Sequence, residues 1–393
     1  MKKLLALLLA ALMVFCLVAC GGNDAANNNN QNDAGNDQEE ILKVGFIYIG
    51  DESDEGWTFN HIVGQKEMEA EYEGKIQSIC KYNVPEDSSV IDAIDELASE
   101  GCTVIFATSF GYEQFVQEVV EDYPEITFCH CSGYQCAGDA YENTNNYFAE
   151  IYEGRYLAGV IAGLKLNEMI ANGDITAEEA KVGYVGAYPF AEVISGYTAW
   201  YLGVASVCPS VTMEVVYANT WGDYETEYQC ALSLINRGCV LVSQHSDTTG
   251  PAAACETAEG VFHVGYNTDM TDVAPNSTLV SSHINWGVFV TEAVGKILNG
   301  EAIKSDNWGG IADGWVSLVG INEALLAEGT LEIIEDLKAQ LADGTLQIFS
   351  GNYTGTNSNG DTIDLSAEAY IENATQSSPA YDYVLDNVIT IVG

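Results

Sequence analysis

From residue 43 onward the chain alternates short apolar runs with helix-patterned stretches, and this alternation fixes the class of fold open to it. Residues 43–50 form a continuous β-rich run, 57–72 carry an amphipathic helical pattern, and 75–82 read as a second strand. A helix follows with Val90, Ile91, Ile94 and Leu97 on one face. Then come a strand at 103–108, a helix through Phe115, Val116, Val119 and Val120, and a strand at 126–131. Apolar runs separated by helices build a parallel sheet covered on both faces through right-handed crossovers. After a helix of small and aliphatic residues at 154–166 the rhythm restarts. Strands are expected at 181–186, 213–218, 240–244 and 261–266, with helices around 194–207, 224–236 and 250–258. A folded part of about 350 residues is long for one core and suits two lobes. Two parallel-sheet lobes imply a cleft that receives the strand C-termini and helix N-termini of both.

The residues ahead of this pattern read as an address. Lys2 and Lys3 precede an apolar run at 4–18, too short for a permanent membrane span but suited to a signal-peptide core. The run ends Leu17-Val18-Ala19-Cys20-Gly21, which resembles the bacterial lipobox. Residues 1–19 are therefore expected to be removed as a signal peptide and Cys20 to carry lipid, placing the protein on the outer face of a cell membrane. Residues 21–40 contain no aromatic and no branched aliphatic side chain and read as a flexible tether.

Charge narrows the partners. The formal net charge is −45, with acidic residues spread along the chain, so nucleic acid is excluded as a ligand and a neutral or cationic small molecule is favoured. Of eleven cysteines, nine lie beyond Cys16 and Cys20, several in apolar runs such as 101–106 and 238–242, where cysteine packs as a small hydrophobe. Cys129, His130, Cys131 and Cys136 carry metal-capable atoms. Strand alternation turns residue 130 away from 129 and 131, so packing is expected, with no metal and no cofactor. No nucleophile elbow, zinc-protease pair or phosphate loop is present. His245 and Asp247 lie close in sequence but lack an accompanying nucleophile or metal set, and an enzyme is not expected.

Seven ordered blocks carry a family resemblance: residues 44–64 (VGFIYIGDESDEGWTFNHIVG), 105–111 (IFATSFG), 152–163 (YEGRYLAGVIAG), 182–194, 244–247 (QHSD), 264–275 (VGYNTDMTDVAP) and 308–314 (WGGIADG). Together they resemble the basic membrane protein family, the purine nucleoside receptor type of ABC-transporter substrate-binding lipoproteins. The resemblance implies the α/β type I periplasmic-binding-protein fold, two Rossmann-like lobes joined by a three-segment hinge that close on a ligand. On that pattern lobe 1 would comprise 41–155 with about 285–310, and lobe 2 about 156–284 with about 311–350. Residues 351–393 would form an extension packed on a lobe, possessing a hairpin in one reading. The implied ligand is a purine base or nucleoside, adenine-like by similarity to the branch with a Trp-bearing first loop. The implied partners are an ABC permease and its ATPase, with the protein itself a monomer. A sugar or furanosyl signal, or a surface sensor not coupled to transport, are the alternatives.

A purine needs aromatic plates for its faces and short polar groups for its edge. At the C-terminal ends of the expected strands stand Asp54, Trp57 and Asn60, then Phe110 and Tyr112 beside Ser109, then Phe190, Trp221, Asp247, Asn267 and Trp286. Trp57 and Phe190 match family positions whose rings face the ligand, against packing within their own loops. Asn60 and Asp247 either read the base edge or cap helix N-termini. Asn267 replaces the aspartate more usual in the family's loop, which weakens a sugar-hydroxyl contact there. Trp221 and Trp286 are plates or hinge core, and Trp308 with Asp313 shapes a crossover strand.

Overall fold

The computed structural model describes residues 41–137 and 141–393. The expectations for the signal peptide, Cys20 and the tether lie outside the described residues. The first half runs β1 (Leu42–Ile47), α1 (Trp57–Glu71), β2 (Ile76–Lys81), α2 (Ser89–Ser99), β3 (Val104–Ala107), α3 (Glu113–Val119), β4 (Thr127–Cys131) and β5 (Thr144–Ala149). The second runs α4 (Ile151–Asn172), β6 (Lys181–Gly186), α5 (Ala191–Val207), β7 (Thr212–Tyr217), α6 (Tyr224–Asn236), β8 (Leu241–His245), α7 (Gly250–Glu256), β9 (Phe262–Tyr266) and β10 (Thr278–Ile284). The chain then returns with α8 (Trp286–Leu298) and β11 (Asp306–Gly309), crosses again into β12 (Val316–Val319) and α9 (Thr330–Ala342), and ends with β13 (Thr354–Thr356), β14 (Thr362–Asp364), β15 (Val384–Leu385) and β16 (Ile389–Ile391).

Two sheets result, ordered β11-β5-β4-β3-β1-β2 and β12-β10-β9-β8-β6-β7-β16. Pairing is parallel throughout except for β12 on β10. Each sheet is built on the same order, in which the first strand of the half lies between the second and the third. The chain passes between the sheets three times, at β5 to α4, β10 to α8 and β11 to β12. The fold is the expected one: two doubly wound lobes with three crossing segments.

Local sequence explains the packing. The strands β3, β6 and β8 are buried on both faces because helices cover both sides of each sheet, and β1 is so from Val44 onward. The long helix α4 is buried nearly all round, with Leu157, Val160, Ile161 and Leu166 in the second core. It lies against α5 at backbone distance. A Cβ on Gly159 would collide with the carbonyl oxygen of Trp200, and one on Gly203 with that of Tyr156. In the first lobe α8 packs on α1, where Gly64 admits the backbone of Gly287.

Several elements escaped the sequence pattern: β5, β10, α8, β12, α9 and the closing strands, while β11 is the crossover strand expected around Trp308. The last 43 residues are more than a surface extension. A hairpin is present between β13 and β14, but β15 pairs with β13 and β16 joins β7 at the edge of the second sheet. Phe349, Leu365, Tyr381 and Leu385 belong to that lobe's core. The nine cysteines at positions 80, 102, 129, 131, 136, 208, 230, 239 and 255 are free thiols, seven of them buried.

Alanine is the better helix former by about 1 kcal/mol, yet Gly159→Ala should destabilise the fold by about 1–3 kcal/mol, because the added methyl forces α4 and α5 apart. Urea unfolding measures this, and an unchanged or raised midpoint would show that the helices are not held at backbone contact.

Candidate functional site

The strand order of each sheet leaves a crevice where connections from neighbouring strands leave toward opposite faces. In the first lobe this falls between β1 and β3, in the second between β6 and β8, and the two crevices meet. A small void lies at the meeting point. Ile49, Trp57, Ser109, Phe110 and Ser132 line it from the first lobe; Glu192, Trp221, His245 and Asp247 line it from the second. The lobes touch beside it. Thr268 Oγ1 donates to the Glu55 carbonyl at 2.9 Å, and Gly56 lies so near the Asp247 carbonyl that no Cβ would fit between them.

Each wall residue is set by its own lobe. Trp57 opens α1, its indole N–H donating to the Thr108 carbonyl at 2.8 Å, and its ring rests edge-on against Trp286, with centroids 5.2 Å apart. Phe110 follows β3 and meets Phe190 of the other lobe at 5.7 Å. Phe190 stacks on Tyr188 at 5.2 Å, and Tyr188 meets the edge of Trp221 at 5.3 Å. Aromatic surface from both lobes therefore borders the void.

The polar wall is dominated by carboxyl groups that burial makes reluctant to ionise. Glu192, in the first turn of α5 with a side chain 11% exposed, is pushed up to about 7, chiefly by desolvation. Burial also pushes Asp247 well above the usual carboxylate range, helped by the charges of Asp54, Glu227 and Glu192. Among the described residues no protein hydrogen bond holds the Asp247 carboxyl. Behind it Glu227 accepts the amides of Asp223 and Thr248, each at 3.1 Å, and burial raises it to about 7. His245 Nε2 lies 3.2 Å from Glu192 Oε1, while burial holds its pKa well below the ordinary histidine value. His245 is therefore uncharged around pH 7, and the contact is a hydrogen bond and not an ion pair. Arg155 is the nearby cation. Fully buried in the first turn of α4, it donates to the Gln244 carbonyl and lies 3.8 Å over the Tyr266 ring. Its charge partly offsets the effect of burial on Glu192 and Asp247.

Of the residues singled out from sequence, Trp57, Phe110, Trp221 and Asp247 come together on the void. Phe190 stands in an adjoining cavity, 42% exposed. Asp54 lies in a neighbouring depression and accepts the amides of Gly56, Thr58 and Phe59 at 2.8–3.0 Å, capping α1. The remaining four sit inside the lobes. Asn60 donates to the Ile284 carbonyl, and Tyr112 donates to that of Val84. Trp286 packs beneath Trp57 and His61. Asn267 is fully buried at φ +66°, with both amide atoms unpartnered. Sequence reasoning missed Ile49, Ser132, Glu192 and the buried state of Arg155. The signal for Glu192 was its place two residues after Phe190, in the first turn of a helix opening on the cleft.

Glu113, His130 and Cys136 also gather, with ligand-capable atoms within 4.8 Å. Two of the three already have protein partners. Glu113 Oε1 accepts the amides of Gln135 and Cys136, and the His130 nitrogens meet Asn146 Oδ1 and the Ser109 carbonyl at 3.0 and 2.9 Å.

Residues 41–344 match the family model described as ABC transporter substrate-binding protein, PnrA-like. A purine-binding protein of Brucella abortus is 34% identical over 282 residues, covering 71% of this chain and 75% of its own. A putative ABC transporter glucose-binding protein of Haloferax volcanii is 30% identical over 281 residues, covering 72% and 67%. An ABC transporter solute-binding protein from Aeropyrum pernix K1 shares the fold, with a TM-score of 0.65 at 17% identity over 77% of this chain and 92% of that one.

A carboxyl whose pKa is raised by folding binds its proton more tightly in the folded state, so its contribution to stability is greatest at low pH and falls between the unfolded and folded values. Glu192→Gln should therefore gain about 2–3 kcal/mol relative to the native chain on going from pH 5 to pH 8. Urea unfolding at both pH values tests this. An equal difference at the two would mean that Glu192 ionises freely in the fold.

Proposed function

The chain belongs to the family of PnrA-like ABC-transporter substrate-binding proteins, and from that premise we propose that its seam cavity captures a purine, adenine-like in its hydrogen-bonding edge, for delivery to a permease and its ATPase. The observation carrying this reading is a buried void bordered by aromatic rings of both lobes and by carboxyl groups favoured in their acid forms, with no Lys or Arg among its lining residues. Such a wall suits a flat, uncharged heteroaromatic ring and repels anions. The free space in this arrangement is only about 20 Å³, so the lobes must part to seat a bicyclic base. An undissociated carboxyl offers one donor beside one acceptor, complementary to a ring nitrogen next to the exocyclic amine of adenine. An ionised carboxylate only accepts, which matches the N1–H and N2–H edge of guanine instead.

The mechanism is capture by closure. The void is walled by both lobes, so entry requires them to part, and a ligand touching both stabilises the closed arrangement through its preference for that state. In this proposal Cys20 carries the lipid and residues 21–40 tether the lobes near the permease on the outer membrane face. No described helix is long and apolar enough to cross a membrane. A neutral sugar is the second reading, favoured by the name of the Haloferax relative and by the hydroxyls of Ser109 and Ser132.

Titration with adenine, hypoxanthine, guanine, adenosine and glucose, read by Trp fluorescence and melting temperature, tests the proposal. Adenine should bind and raise the melting temperature, and its binding should weaken as pH rises through about 7 while the carboxyl loses its donor. Trp221→Ala should weaken it about tenfold. A response to glucose alone would overturn the purine reading.

A further inference from the structure

The match to the family ends at residue 344, yet the segment beyond it is built into the structure. Most of it is rooted in the second lobe through Phe349, Tyr381, Leu385 and Ile389. One turn reaches the first lobe. The Ser377 amide donates to Asp306 Oδ2 in β11, and its hydroxyl accepts from Asn146 Nδ2 in β5, both at 2.8 Å. Asn146 in turn meets His130, whose other nitrogen meets the carbonyl of Ser109 on the wall of the seam cavity. The segment is thus fixed to both lobes and connected to the first cavity by hydrogen bonds.

Held there, it forms one wall of a second and larger cavity of about 580 Å³. The two cavities share Phe110, Ser132 and Glu192, so they adjoin across those residues. The C-terminal segment contributes Thr356, Asn357, Ser358, Ser378 and Asp382, all bearing hydroxyl, amide or carboxylate oxygens. Phe110, Tyr134 and Phe190 stand among the other walls, and Tyr134 is 58% exposed, so the outer side opens to solvent. Among the described residues no Lys or Arg lines this cavity. Its walls offer hydrogen-bond acceptors, two carboxyl groups and aromatic faces.

We infer that residues 345–393 build a second ligand compartment that receives a donor-rich, non-anionic substituent, hydroxylated or amine-bearing, carried by the ring in the first cavity. The inference rests on the reading of the first cavity as a ring site. The compartment admits the substituent by hydrogen bonds to Asp382 and its neighbours and rejects a phosphate, which would meet two carboxyl groups and no cation. The C-terminal segment is in this way a determinant of specificity lying outside the family-wide part of the fold.

Calorimetric titration of the full chain with adenine, adenosine, 9-(3-aminopropyl)adenine and adenosine monophosphate tests this, using the native chain, Asp382→Asn and Tyr134→Ala. Adenosine and the aminopropyl compound should bind the native chain at least as tightly as adenine, and the monophosphate about tenfold more weakly than adenosine. Asp382→Asn should weaken the aminopropyl compound about tenfold and Tyr134→Ala should weaken both substituted purines, while adenine changes by less than about twofold in either variant. Equal effects on adenine and on the substituted purines, or a monophosphate bound as tightly as adenosine, would overturn the second compartment while leaving the ring site standing. Failure of all four ligands to bind would overturn the ring site and the compartment with it.

Discussion

The reversal of strand order in each sheet is the constraint on which the rest depends. Because β1 lies between β2 and β3, and β6 between β7 and β8, the connections leaving neighbouring strands diverge and open a crevice at their C-terminal ends. Three crossings hold the two crevices face to face. The residues at the meeting point therefore follow the C-terminal ends of six strands: Ile49 and Trp57 after β1, Ser109 and Phe110 after β3, Ser132 after β4, Glu192 after β6, Trp221 after β7, and Asp247 with His245 at the end of β8. Handed crossovers and strand order place these side chains together from positions nearly 200 residues apart in the sequence.

Burial then determines their chemistry. A chain this acidic would ordinarily ionise its carboxyl groups in water, but Glu192, Glu227 and Asp247 are enclosed, and desolvation opposes their charged forms. Arg155 is the counterweight. Its guanidinium is itself enclosed among Tyr184, Tyr266 and the Gln244 carbonyl, so its charge acts through little intervening solvent. It is a positioning residue that moderates the carboxyl groups from behind. The outcome is a cavity whose walls can donate as well as accept at neutral pH, although the chain carries a large negative charge.

Much of the fold was legible because strands such as β1, β3 and β6 are buried on both faces over most of their length and read as largely apolar runs. The strand β5, Thr144–Ala149, was not, because Asn145 and Asn146 interrupt it. Their amide nitrogens donate to tertiary partners, the Phe128 carbonyl and the Ser377 hydroxyl, which only the fold supplies. The strand β16 was hidden for a similar reason, since its partner β7 lies about 175 residues earlier in the chain. At the site, loop position indicated Phe110, Trp221 and Asp247, and for Trp57 the family resemblance added to it. Spacing could not tell that Tyr112 donates into its own lobe or that Trp286 lies under Trp57, because ring direction is set by packing. Nor could it single out Glu192 among the many acidic residues that open helices.

The central claim is that two lobes meeting at a buried void close around a neutral heteroaromatic ligand. The void is too enclosed for a ligand to enter while Gly56 stays against Asp247 and Thr268 on Glu55. Small-angle X-ray scattering of the chain, without ligand and with saturating adenine, tests this most directly. The account predicts a smaller radius of gyration with adenine, as the parted lobes close. An unchanged radius at saturation would contradict it.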